Sequence, residues 1–155
     1  MLYNKGRLLV ETLSQNEAQE LIVMLKKTLV AEIKFPTKGT QSEFKVQGPT
    51  RRHVFAINIF RGRIDKDKYN INARISKNGI MLMQLHIGET IQHMNPDRRK
   101  VNGSHWHFYH EEHGMGIAEE AENINSTDFV KNTILLFDKF NILEKPKISY
   151  QLEML

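Results

Sequence analysis

The chain has 155 residues, the size of one ordinary domain, with 40% hydrophobic and 26% charged residues and a net charge of +4. It contains no cysteine, which excludes a disulfide framework and thiolate-bound zinc, so a metal would need His, Asp or Glu ligands. No apolar run approaches the roughly 18 residues of a membrane helix, and the first residues lack a secretory signal, so we expect a cytoplasmic protein without membrane contact.

The first predicted element is a helix over residues 14–33. Ser14 is a typical N-cap, and Glu17 three residues later completes a capping box. Apolar residues then recur at helical spacing, which predicts one buried face. Pro36 and Gly39 end the pattern.

Five segments with alternating polar and apolar residues follow, and turn-forming residues separate them, which predicts consecutive antiparallel strands. These segments are residues 42–48, 52–64, 67–76, 79–88 and 104–110. A second helix is predicted over residues 126–142, with Ser126 or Thr127 as its cap, and residues 147–155 alternate like an edge strand. We therefore expect one α+β domain over residues 1–155. It would be a two-layer sandwich, a five-stranded antiparallel meander with the N-terminal and C-terminal helices on one face.

The stretch "GSHWHFYHEEHG", residues 103–114, holds four of the seven histidines. Side chains two apart on a strand point the same way, so Trp106 and Phe108 are predicted to face the core. His105, His107 and Tyr109 are then predicted to face away from the helices.

The same alternation places polar groups of the preceding strands on this outward face. They are Gln84 and His86, then Asn70, Asn72 and Arg74, while Arg61 and Arg63 follow the most apolar strand. Histidine transfers protons near neutral pH, and arginine stabilises charge on a phosphate. The favoured interpretation is a metal-independent endoribonuclease of toxin or phage-defence type that needs no cofactor. Its candidate catalytic residues are His105 and His107 as base and acid, Arg61, Arg63 and Arg74 on the phosphate, Tyr109 as orienting group or acid, and His93.

Two functional alternatives to the ribonuclease stay open. A third interpretation is a polar sheet face without function, in which the histidines only hydrogen-bond to one another. The His-x-His pattern also suits a metal hydrolase that uses His93, His105 and His107, with His86 as another source of the third imidazole. A non-catalytic phage or prophage accessory module would use the same face to recognise a host protein or nucleic acid. Candidate partners are RNA, as the pI of about 9.3 favours, an antitoxin or host protein, and a second copy of the chain.

Three short motifs resemble those of a family of small bacterial and phage proteins that is known only as a domain of unknown function. They are R-G-R-I at Arg61–Ile64, H-x-N-P-D at His93–Asp97, and H-x-H-x-Y at His105–Tyr109 with Glu111 after it. The resemblance covers roughly residues 15–145 and implies no activity. His86 stands where the family tends to carry Asp, and "MGIAEEA" replaces its aromatic residue and proline.

Overall fold

The computed structural model describes residues 12–151 of the chain. Its two helices are α1, Gln15–Val23, and α2, Phe129–Lys139. The predicted capping box is confirmed, because the Ser14 hydroxyl accepts from the Glu17 backbone N–H and the Glu17 carboxylate accepts from the Ser14 N–H. The predicted cap of the second helix is wrong. Asp128 caps α2 by accepting from the Lys131 N–H.

The first helix ends at Val23 rather than near residue 33, because a strand begins at Lys26. Lys26 is buried, and its ammonium donates to the carbonyl oxygens of Ile22, Met24 and Phe140 at 2.9, 2.7 and 2.7 Å. Carbonyls at a helix end lack an intrahelical partner, and this ammonium supplies one. The following residues then pair with strands on both sides, which periodicity along the chain does not reveal.

An eight-stranded sheet forms the centre of the structure, in the order β10-β9-β6-β5-β4-β3-β1-β11. Its strands are β1 (Lys26–Thr28), β3 (Gln41–Gln47), β4 (Val54–Arg61), β5 (Tyr69–Ile75), β6 (Met81–Ile87), β9 (His105–Phe108), β10 (Ala118–Glu120) and β11 (Ile142–Glu144). Neighbours are antiparallel except β1 and β11, which are parallel. The α+β class holds, but the predicted five-stranded antiparallel meander is wrong, because three short strands extend it and make the sheet mixed.

Four further strands form two small pairs. β2 (Glu32–Lys34) pairs in parallel with β12 (Lys147–Ser149), so the predicted tail strand exists but not at the edge of the main sheet. β7 (Gln92–Met94) and β8 (Lys100–Asn102) form an antiparallel hairpin. Its turn lies at the predicted Asn-Pro-Asp sequence, where Arg98 adopts a positive φ of 69° and the Asp97 carboxylate accepts from the Arg99 N–H.

One face of the main sheet carries the hydrophobic core. Cross-strand neighbours such as Ile57 and Ala73, or Leu85 and Trp106, lie on this face. The ring of Phe137 packs edge-on against that of Phe44 on β3, with 5.6 Å between the ring centroids. The ring of Phe140 packs in the same way against Phe55 on β4, at 5.2 Å. The second helix therefore covers this face and leaves the opposite one to polar side chains. Within residues 12–151, no helix has the length and apolar character to cross a membrane.

Candidate functional site

Strands β6 and β9 bring three imidazoles together on the polar face. His86 lies directly opposite His105, and Gln84 lies directly opposite His107. Because neighbouring strands are about 4.8 Å apart and alternate residues share a face, these side chains must touch. The ring centroids of His105 and His107 are 4.9 Å apart, and that of His86 lies 5.2 and 5.5 Å from them.

A fourth imidazole comes from the hairpin β7–β8. The His93 Nε2 atom lies 2.8 Å from the carbonyl oxygen of Gly116, and its ring centroid lies 4.8 Å from that of His107. The Asn95 amide fixes the hairpin by donating to the Ala118 carbonyl and accepting from the Ala118 N–H. We call His86, His93, His105 and His107 the imidazole cluster.

The polar face is not open around the imidazole cluster, contrary to the prediction. His105 and His107 are only 2% and 4% exposed. His93 of the hairpin packs against both rings, and Met115 and Ile117 lie beside His107. The sequence could not show this cover, because the hairpin is placed by its contacts with Gly116 and Ala118 more than 20 residues away.

Hydrogen bonds assign the tautomers of two imidazoles. The His105 Nδ1 donates to the Gly103 carbonyl at 2.8 Å, so its Nε2 carries the lone pair. That Nε2 accepts from the Nδ1 of His86 at 3.3 Å, and the His86 Nε2 accepts from the Gln84 amide nitrogen at 3.2 Å. This chain of hydrogen bonds is satisfied with the imidazoles of His86 and His105 both neutral.

Burial favours the same neutral state. It lowers the pKa of His86 to about 4, with further lowering from the three other imidazoles. Burial is also the main reason that the pKa of His107 is lowered to about 4. The nearby imidazoles of His105 and His93 lower it further, while hydrogen bonds with the backbone of Met115 and Ile117 raise it. The pKa of His105 is lowered too, again mainly by burial. At neutral pH these three imidazoles hold lone pairs rather than charges.

The three imidazoles of His86, His105 and His107 are placed where they could hold a metal ion. One ring nitrogen from each of His86, His105 and His107 lies within 4.8 Å of the others. Two ligands of a tetrahedral ion with bonds of about 2.0–2.1 Å to nitrogen are about 3.3 Å apart, which is the separation of the His86 and His105 nitrogens. The bond from His105 to a backbone carbonyl is also the usual way to orient a metal-binding imidazole. The His107 Nδ1 is buried without a hydrogen-bond partner among the described residues.

The arginines predicted to join the histidines lie elsewhere. Arg61 is the last residue of β4 and by alternation points to the core face, where it is buried, donates to the carbonyls of Pro36 and Lys66, and stacks over Phe129. Arg63 is exposed beside Gly39. Arg74 lies on the polar face, but its guanidinium reaches across β4 to the Glu43 carboxylate at 2.6 Å, away from β9.

Tyr109 is also separated from the imidazole cluster. Strand β9 ends at Phe108, and Tyr109 belongs to the buried hydrophobic core. Its hydroxyl donates to the Leu13 carbonyl at 2.8 Å and accepts from the Leu13 N–H at 3.0 Å. Its N–H bonds to the Leu82 carbonyl and so continues the register of β9, but the side chain is buried rather than exposed and its hydroxyl is engaged by Leu13.

Of the predicted catalytic residues, the structure thus brings together His93, His105 and His107. It adds His86, which alternation placed on the same face but which was not ranked among them. It also adds Lys68 and Phe60. Both line a cleft of about 360 Å³ beside the imidazole cluster. Nothing in the local sequence around these two residues distinguishes them from a solvated turn and a core strand.

Comparison with known proteins gives one match. The model of a "Family of unknown function (DUF6978)" matches residues 13–142, which is most of the chain and agrees with the resemblance seen in the motifs. No curated protein and no solved structure gives a significant match. The chain therefore belongs to this family of unknown function.

Proposed function

We propose that this protein is a hydrolase that binds a divalent transition metal through His86, His105 and His107 and uses this ion in catalysis. The observation that carries the proposal is the convergence of nitrogens from three imidazoles, the buried His105 and His107 and the partly buried His86, within 4.8 Å of one another. Nitrogen ligands suit zinc, copper, nickel, cobalt and iron, and they exclude an oxygen-ligated calcium or magnesium site. Zinc is the first choice for a tetrahedral set of imidazoles.

Access supports catalysis over a purely structural metal. Structural zinc sites are closed by four protein ligands, whereas catalytic sites keep a position open. The cleft beside the imidazole cluster is lined by His86, His93 and His105, so small molecules can approach the imidazoles. The Nε2 of His93 is hydrogen-bonded to the Gly116 carbonyl. The Nδ1 of His93 is therefore left to accept a proton or a hydrogen bond.

Hydrolysis is the reaction class that these parts serve. Neutral ligands leave the ion its full charge, so it can polarise a substrate and lower the pKa of a bound water. In the reaction the oxygen of one water forms a bond to the electrophilic atom, the bond to the leaving oxygen breaks, and that oxygen takes up a proton from the water. His93 is the residue placed to relay this proton.

The metal-independent ribonuclease predicted from the sequence has less support from the geometry. It needs a protonated acid and a cation beside the base. Burial keeps His86 and His107 neutral, so they do not supply the protonated acid. The predicted arginines do not supply the cation, because Arg61 serves the core and Arg74 is paired with Glu43. Lys68 in the cleft is a cation that lies near the imidazole cluster. A phosphodiester such as RNA remains compatible with the metal proposal as a substrate.

The decisive experiment is the metal content of protein purified without a polyhistidine tag. We expect about one zinc, cobalt or nickel ion per chain after reconstitution, measured by elemental analysis and titration calorimetry. The double variant His105→Ala/His107→Ala should bind none. His53→Ala is the matched control, because His53 precedes β4 at the end opposite Phe60, bonds to Thr50 and should not affect binding. Wild-type protein without a stoichiometric metal, or metal retained by the double variant, would refute the proposal.

A further inference from the structure

The cleft of about 360 Å³ has a wall composition that restricts what it can bind. Three imidazoles form one side, Lys68 and Asn70 contribute polar groups, and Phe60 and Ile91 are apolar. No carboxylate occurs among the described residues that line it. With a divalent ion held by neutral imidazoles beside a lysine, the cleft is positive and favours an anion.

Lys68 is available for such an anion. Its backbone is hydrogen-bonded to Asp65 and Gly62, but its side chain makes no hydrogen bond or ion pair with any residue in the range 12–151. Its stem is held by close packing at the turn after β6. A Cβ atom on Gly88 would lie 3.3 Å from the Lys68 Cγ and 2.9 Å from the Ile91 Cγ2. Lys68 therefore lines the cleft with a side chain that no carboxylate among the described residues neutralises.

Phe60 supplies an apolar surface in line with the imidazoles. Although it is apolar, Phe60 lies on the polar face and is 46% exposed. The register pairs Phe60 with Asn70, Asn70 with His86, and His86 with His105, which makes one row across four strands. At about 4.8 Å per strand, Phe60 lies roughly 10 Å from His86. A ligand that places a flat group against Phe60 and its reacting group at the imidazole cluster would therefore be about as long as a nucleotide.

We infer that this cleft binds a phosphate ester that carries a flat aromatic group, the chemistry of a nucleotide. This inference rests on the proposed metal function. Lys68 binds the phosphate as a point charge, as lysines commonly do. The Asn70 amide accepts from Asn72 through its oxygen, which leaves its nitrogen as a second donor. Phosphate offers more acceptor oxygens and more charge than a carboxylate, so it makes fuller use of these donors and of the ion.

The test uses the full chain loaded with Co²⁺, whose paramagnetism broadens the phosphorus resonance of any phosphate bound beside it. Uridine 5′-monophosphate, inorganic phosphate and acetate are the probes, the last as a competitor. The variants are Lys68→Met and Phe60→Ala, with Lys77→Met as the control of equal charge change at an exposed position. Cobalt content is measured on every sample, so loss of the metal is distinguished from loss of the anion.

We expect Lys68→Met to keep its cobalt and to bind both phosphates about tenfold or more weakly, as loss of one charge-assisted contact predicts. Phe60→Ala should weaken uridine monophosphate but not inorganic phosphate, and Lys77→Met should change neither. Cobalt binding without broadening, equal affinity in Lys68→Met, or displacement of uridine monophosphate by low acetate concentrations would overturn this inference and leave the metal proposal intact. A chain that takes up no cobalt would overturn the metal proposal instead.

Discussion

The Nδ1 atom of His86 and the Nε2 atom of His105 face each other at 3.3 Å across neighbouring strands. In the metal-free protein the proton between them belongs to His86, because Gln84 donates to the other nitrogen of that ring. A metal in this gap must displace that proton to the Nε2 of His86. The Gln84 amide would then rotate and accept from it with its oxygen, so Gln84 becomes the group that orients a metal ligand.

Replacing Gln84 tests this role directly. Gln84→Leu should weaken metal binding by about 10-fold to 100-fold, because the His86 ring loses the one side chain other than an imidazole that bonds to it within residues 12–151. Calorimetric titration with zinc measures the change. Gln47→Leu, on the far strand β3, is the control and should bind normally. Unchanged affinity in Gln84→Leu would mean that His86 is not a ligand.

Metal removal should lower thermal stability. A ligand that binds only the folded state stabilises it by about 3 kcal/mol at a free concentration of 100 times its dissociation constant. We expect chelator treatment to lower the Tm of the wild-type protein by several degrees and zinc to restore it. The His105→Ala/His107→Ala variant should show the same Tm with and without zinc. A wild-type Tm that ignores zinc would contradict the site.

The metal-free protein should lose stability in mild acid. The pKa values of His86 and His107 are about 4 in the folded state and about 6.5 when unfolded, so the unfolded state binds more protons between these limits. The free energy of unfolding must therefore fall as the pH drops from 6.5 to 4, by at most about 3 kcal/mol for each imidazole. Urea unfolding at several pH values measures this. His107→Gln should show a shallower slope, and a wild-type stability that is flat over this range would refute neutral, buried imidazoles.

Lys26 should contribute strongly to stability. Its buried ammonium satisfies three carbonyls and lies 3.7 Å from the centre of the Phe140 ring, although burial lowers its pKa to about 7. Lys26→Met removes these donors and leaves buried carbonyls without partners, which should cost about 3 kcal/mol in denaturant unfolding. Lys27→Met at the exposed neighbouring position should cost under about 0.5 kcal/mol. Equal stability of the two variants would show that Lys26 is dispensable.

Tyr109 separates the structural from the catalytic interpretation. Tyr109→Phe removes both hydrogen bonds to Leu13 and should cost about 1–2 kcal/mol of stability while metal affinity stays unchanged. Tyr150→Phe, at a half-exposed position, should change neither quantity. Lost metal binding or lost hydrolysis at full stability would restore Tyr109 to the site.

Strand periodicity was enough to place His86, His105 and His107 on one face, because side chains alternate along a strand and the irregularity between β5 and β6 lies at Ala73 and Arg74, away from these residues. The rule does not show what covers a face: Tyr109 continues the register of β9 against Leu82, yet it is buried and its hydroxyl bonds to Leu13. Arg61 was expected just past the end of the most apolar strand, but it is the last residue of β4 and by alternation points to the core. Errors of one residue at a strand boundary reverse the face of a side chain. The early end of α1 depends on β1 meeting β11, and the position of His93 depends on Gly116; such contacts between distant segments leave no periodic trace.

The two edges of the main sheet restrict how this chain can associate with itself. β10 and β11 are three residues each, and they carry exposed glutamates at Glu119, Glu120 and Glu144. Short, negatively charged edges discourage a second sheet from adding its strands, since like charges would meet along the seam. A homodimer of this protein would therefore form through a face or a helix, and the sheet would keep its width of eight strands.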